Sequence, residues 1–157
     1  MPATTDLERH VECPDPAATS ALGRALATVA RPGDLLCLWG ELGAGKTHLA
    51  KAFGAALGVN GTITSPSFIL MAEYEGRLPL FHIDLYRLAD ATDVLAGGLV
   101  DDRQSAGVTL VEWPDRMGDA LPRGRLDVLI DGTGEESRRV TLRAGDPGYR
   151  RYLDAVP

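Results

Sequence analysis

Lysine is almost missing from this chain: of 157 residues only Lys46 and Lys51 are lysine, and arginine supplies the rest of the Lys+Arg charge. Acids outnumber these bases 22 to 16, for a formal net charge of −6. That balance argues against a broad basic face able to follow a phosphate backbone, so any contact with RNA is expected to run through a partner. Long apolar runs are missing too. None approaches the ~18 residues of a membrane span, and Met1–Glu12 mixes acids and bases without the apolar centre of a secretion signal. A cytoplasmic address is expected. Cysteine is scarce, and Cys13 and Cys37 are too few for a disulfide framework. Cys37 lies inside an apolar run and reads as a small buried thiol. Repeats, low-complexity tracts and linkers are all lacking. With 45% hydrophobic residues, the chain is expected to build one core, a single domain over residues 1–157.

Against that scarcity the position of Lys46 carries weight. Gly40-Glu41-Leu42-Gly43-Ala44-Gly45-Lys46-Thr47 fits G-x-x-x-x-G-K-[ST] at every fixed position. In this pattern small residues let backbone N–H groups close around a β-phosphate. The lysine brings a point charge to the β- and γ-oxygens, and the hydroxyl can sit on Mg²⁺. At average residue usage the pattern arises by chance in roughly one chain in two hundred of this length. Context strengthens it: Leu35–Trp39 is a short apolar run ending at Gly40, and Thr47–Leu57 has helical character. Strand, loop and helix is the required order, and the helix start offers unpaired N–H groups to phosphates. Leu42, Gly43, Ala44, Gly45, Lys46 and Thr47 are therefore the expected nucleotide-binding residues.

Other segments fall around this loop. Asp15-Pro16 should cap a first helix whose apolar positions run from Ala17 to Val29, stopped by Arg31-Pro32-Gly33. Gly58 should end the second helix. Thr62–Ser67 reads as a hydroxyl-rich loop in which Thr64 is a candidate nucleotide sensor. Phe68–Tyr74 and Leu78–Leu85, joined across Glu75-Gly76, predict a hairpin that adds antiparallel pairing to a mainly parallel sheet. Asp90–Leu99 suggests a short helix, Val108–Val111, Leu126–Ile130 and Val140–Leu142 suggest strands, and Tyr149–Val156 a terminal half-helix.

Nucleoside triphosphate hydrolysis also needs a carboxylate at the end of a neighbouring strand to hold the ion or its waters. Glu112 and Asp84 compete for that role. Glu112 ends a core strand and has the longer reach; Asp84 would then order a water or sense the γ-phosphate. Arg87 and Arg139 are candidates for charge stabilisation or base contact, each with a surface ion pair as the plainer alternative. His48 and His82 have no metal-ligand partners at recognisable spacing and read as structural.

Four blocks together resemble the TsaE (YjeE) family of bacterial P-loop ATPases required for threonylcarbamoyladenosine in tRNA. They are Gly40–Thr47, Thr64-Ser65-Pro66-Ser67-Phe68, His82-Ile83-Asp84-Leu85-Tyr86-Arg87-Leu88 and Val111-Glu112-Trp113-Pro114, which stand in family order. The resemblance implies an α/β, three-layer P-loop NTPase fold with a mixed, mainly parallel sheet. It implies Mg²⁺ held by Thr47 and Glu112, with Lys46, Asp84 and Glu112 in the catalytic set and ATP as the nucleotide. It also implies work inside a complex with TsaD and TsaB type subunits. His48 stands where a second threonine is common, Ser67 where threonine is usual, and Gly97-Gly98-Leu99 departs from the family's Leu-Gly stretch.

Three rival classes stand against this ATPase. A GTPase would need an Asn-Lys-x-Asp segment, and no lysine follows Lys51. A small-molecule kinase would need an arginine-bearing lid, for which Arg116, Arg123 and Arg125 are the candidates. A nucleotide-gated binding module shares the same cradle and ion as an ATPase, and sequence does not separate the two.

Overall fold

The structure is a computed structural model that describes residues 7–60, 71–86, 102–135 and 137–157. The hydroxyl-rich loop with Thr64, the Asp90–Leu99 helix and Arg87 lie outside the described residues.

The elements are β1 (Glu8–Cys13), α1 (Pro16–Ala27), β2 (Leu35–Trp39), α2 (Lys46–Ala56), β3 (Met71–Tyr74), β4 (Leu80–Asp84), β5 (Val108–Glu112), β6 (Leu126–Asp131), β7 (Arg138–Ala144) and α3 (Arg150–Asp154). Short 3₁₀ segments occupy Asp102–Ala106, Pro114–Ala120 and Pro147–Tyr149. The described strands form one sheet in the order β1-β7-β6-β2-β5-β4-β3. At its centre β6, β2, β5 and β4 pair in parallel, while β7 and β3 run against their neighbours. The sheet is thus mixed, with parallel pairing where the buried strands lie and antiparallel margins.

Local chemistry explains the helices. Asp15 caps α1 by accepting from Ala18 N at 2.9 Å, with Pro16 opening the first turn. Gly58 ends α2 in the left-handed region at φ 83°. The two helices pack against each other through Gly23, where a Cβ would lie only 2.8 Å from the Leu49 carbonyl oxygen. Their apolar sides join Leu36, Leu38, Leu110, Val128 and Leu142 of the sheet in one core. The opposite face, with Cys37, Ile83 and Val111, is covered among the described residues by Met117 of the Pro114–Ala120 segment. Cys37 is fully buried, as its place in the apolar run implied, and desolvation pushes its thiol far above the ordinary range.

β1 was not legible as a strand, because Val11 and Cys13 are its only apolar residues. They face the core, while Glu8 and Glu12 on the other face bond Arg143 and Arg139 of β7. The expected hairpin is present as β3 and β4, and the terminal half-helix as α3.

The C-terminus is tied back at Asp34. This carboxylate is 7% exposed and accepts from Arg31 N at 2.9 Å, from Arg151 Nη2 and from the Tyr152 hydroxyl. Burial, reinforced by that bond to Asp34, pushes the Tyr152 phenol up, so it stays a donor. Tyr149 accepts from Leu35 N at 3.0 Å, which locks the entry to β2 from the same side. Replacing Asp34 by alanine strands these buried donors and is expected to cost about 3 kcal/mol. An unchanged urea midpoint in Asp34→Ala would show that the tie contributes nothing.

Candidate functional site

β2 delivers the chain to Gly40, and α2 starts six residues later at Lys46. Between them the backbone takes turns that restrict side chains. A Cβ on Gly40 would lie 2.9 Å from the Ile130 carbonyl oxygen, and Gly45 at φ 108° sits in the left-handed region. Gly45 caps α2 without a side-chain bond, and no acid occupies the first turn. The helix start therefore presents backbone N–H groups and its positive dipole end with no acid from the helix's own first turn. Leu42 stands at the loop's exposed tip, 69% accessible.

Parallel pairing brings the carboxyl ends of β2, β5 and β4 together at this loop. Register then decides which side chains meet. Asp84 stands opposite Glu112, and both share the sheet face of Leu80 and Leu110, the face that α2 covers. Thr47 Oγ1 donates to Glu112 Oε1 at 3.0 Å and lies 3.2 Å from Oε2. Glu112 is 3% exposed, and His82 Nε2 lies 2.5 Å from its Oε2. Asp84 closes β4 by accepting from Tyr86 N at 3.0 Å.

Lys46 is 5% exposed; its ammonium donates to the Gly40 carbonyl at 2.5 Å and lies 3.6 Å over the Trp113 ring. Burial lowers its pKa below the ordinary lysine value, a shift opposed by Glu112, Asp84, Asp115 and Glu41. Trp113 holds φ 60°, the sole positive φ at a non-glycine among the described residues. That conformation turns the chain out of β5 and lays the indole beside Lys46 and Tyr86, whose ring centroid is 4.9 Å away.

Beside the loop lies a cavity of about 420 Å³, lined by Pro14, Asp15, Pro16, Ala44, His48 and Arg138 among others. Its size suits a small organic ligand.

Lys46, Thr47, Asp84 and Glu112 thus converge, with Leu42, Gly43, Ala44 and Gly45 forming the loop above them. Arg139 does not join them. It faces the other side of the sheet, is exposed, and pairs with Glu12 at 2.8 Å, the surface ion pair weighed from sequence. Its neighbour Arg138 takes the loop side instead, donating to the carbonyls of Ala44 at 2.9 Å and Gly134 at 2.8 Å. Strand alternation separates them: adjacent residues on β7 point to opposite faces, so a one-residue choice from sequence is a choice of face. His82, Trp113 and Arg138 were not singled out for the site from sequence. For His82 the signal was there, two residues before Asp84 on one strand and hence on the same face.

The family model described as threonylcarbamoyl adenosine biosynthesis protein TsaE matches residues 13–140, from the end of β1 into β7. The chain belongs to the TsaE family. Among TsaE proteins it is similar to that of Bacillus subtilis, 40% identical over 143 residues, with 90% of this chain and 89% of that protein covered. The TsaE of Streptomyces coelicolor is 41% identical over 128 residues, covering 77% and 86%. The crystal structure of YdiB from Bacillus subtilis matches with TM-score 0.74 and 34% identity, covering 94% of this chain and 92% of that one. The TsaE match spans the loop, Asp84, Glu112 and both arginines.

Removing Arg138 should loosen the loop by about 1 kcal/mol per lost hydrogen bond, quickening amide exchange at Ala44 and Gly45 several-fold. Arg139→Ala should leave those amides untouched. Hydrogen exchange on the two variants checks the assignment, and equal effects would refute it.

Proposed function

We propose that this TsaE-family chain binds Mg·ATP and hydrolyses it slowly, in support of threonylcarbamoyladenosine formation at adenosine 37 of tRNA. It would act in the cytoplasm within a complex with TsaD and TsaB type subunits. One observation carries the nucleotide reading: the Thr47 hydroxyl meets the Glu112 carboxylate at the start of α2, under a glycine loop and beside a buried lysine.

The donor set fits Mg²⁺. Thr47 and Glu112 offer oxygen atoms, the ligands a hard cation prefers. Among the described residues no group of three His, Cys, Asp or Glu could hold an ion unaided. Thr47 and Glu112 would hold the Mg²⁺, and its charge would offset that of the β- and γ-oxygens. The amides at the start of α2 would bind the phosphates. Lys46, held by the Gly40 carbonyl and the Trp113 face, would exchange these partners for the γ-oxygens. Asp84, opposite Glu112, would orient the attacking water. The base and sugar would take the cavity beside Pro14 and His48.

Geometry weighs against the kinase alternative. Of the three lid candidates only Arg116 follows β5 to the loop end, where it points to the Tyr86 carbonyl at 3.5 Å; Arg123 and Arg125 precede β6, which runs parallel to β2, so they lie at the end of the sheet away from the loop. Arg125 is bonded there to Asp127 at 2.8 Å. A lid over the phosphates would need arginines at the other end. The acidic net charge of −6 leaves tRNA to the partner subunits.

The chain alone is expected to release phosphate more slowly than the ~1 s⁻¹ floor of ordinary enzymes, and faster once TsaD and TsaB are added. Rapid turnover alone, or phosphate appearing on a metabolite, would refute this. Lys46→Ala should weaken ATP binding by calorimetry. Glu112→Ala should abolish the magnesium dependence of that binding, and Asp84→Asn should keep affinity while lowering turnover about 10²-fold. Weak ATP binding by Asp84→Asn with normal turnover of the bound fraction would reverse the assignment.

A further inference from the structure

We infer that His82 is a positioning residue that holds the Glu112 carboxylate in place beneath Thr47, and so sets how well the site takes a divalent cation. This rests on the reading of Thr47 and Glu112 as the magnesium-holding pair.

The ring is fully buried, and Nε2 lies 2.5 Å from Glu112 Oε2. Glu112 also accepts from the Thr47 hydroxyl, and as a metal-holding carboxylate it offers only acceptor atoms, so on the magnesium reading the bond runs from Nε2–H to Oε2. The other nitrogen, Nδ1, is buried and has no hydrogen-bond partner among the described residues. A leucine there would fill the space without leaving a polar atom unsatisfied. What the imidazole adds over such a residue is the single bond to Glu112.

Glu112 needs that bond. Its side chain has one more rotatable link than an aspartate, and the Thr47 hydroxyl restrains it from one direction only. β4 and β5 pair in parallel, with His82 opposite Leu110 and Asp84 opposite Glu112, so His82 lies one step behind the carboxylate on the same face. From there it restrains the Glu112 carboxylate from a second direction, from within the sheet. Second partners of metal-holding carboxylates act in this way, orienting the ligand before the ion arrives.

The discriminating experiment compares His82→Gln, His82→Asn and His82→Leu with the parent chain. Glutamine places an amide N–H near the position of Nε2, asparagine near that of Nδ1, and leucine offers neither. Calorimetric ATP binding is measured without metal and across a Mg²⁺ titration, with melting temperature followed in parallel. The expected result is unchanged metal-free ATP affinity in all variants. Half-saturating Mg²⁺ should rise about tenfold or more in the asparagine and leucine variants, and stay within about threefold of the parent in the glutamine variant. If leucine prevents folding, the contrast between glutamine and asparagine decides alone.

Equal magnesium requirements across the folded variants and the parent would overturn the inference. So would a loss as large without metal as with it, the mark of a merely structural histidine. Failure of the parent itself to bind ATP would sink the nucleotide reading and this inference together. A magnesium-dependent parent with unaffected variants would sink this inference alone.

Discussion

The bond from the Thr47 hydroxyl to the Glu112 carboxylate joins the start of α2 to the end of β5, and the site depends on it. It crosses 65 residues of chain, so nothing local enforces it. Three things have to be right at once. β2 and β5 must be neighbours running the same way, Glu112 must fall on the face that α2 covers, and the glycine loop must be tight enough to set α2 over the strand ends. The core satisfies the first two through Leu36, Leu38, Val108 and Leu110, which bury the same face on which Glu112 ends. Gly40 contributes to the third by approaching Ile130 more closely than any side chain allows.

Polar groups are concentrated under this bond in an otherwise apolar layer. Lys46, His82 and Glu112 are each at most 5% exposed. Burial of a lone charge is costly, and each of these groups meets a partner: Lys46 the Gly40 carbonyl and the Trp113 face, Glu112 the threonine and histidine. The left-handed backbone of Trp113 belongs to the same economy. A residue in that conformation is disfavoured by its own Cβ, and here it sits at the one point where the chain must leave β5 and cover the lysine.

The far side of the domain is organised by a second buried carboxylate. Asp34 ties the entry of β2 to α3 through Arg151 and Tyr152. The two carboxylates bracket the central strands at opposite ends. Asp34 keeps the start of β2 against the terminal helix while Glu112 meets the loop that β2 feeds.

Much was readable from residue order alone. The loop pattern, the Asp15-Pro16 cap, the Gly58 stop and the Glu75-Gly76 hairpin turn are all local, because backbone preferences and capping bonds act within a few residues. For the same reason Lys46 and Thr47 could be placed at the start of the helix after the loop, and Glu112 and Asp84 as strand-end acids. Tertiary structure decided the rest. β1 is a strand because β7 offers it a ladder, not because its two apolar residues demand one. Arg138 rather than Arg139 reaches the loop because the pleat assigns each residue of β7 a face. His82 meets Glu112 because two distant strands pair in one register out of several. Local conformation is written in neighbouring residues, whereas which side chains face each other follows from pairing between segments far apart in the chain.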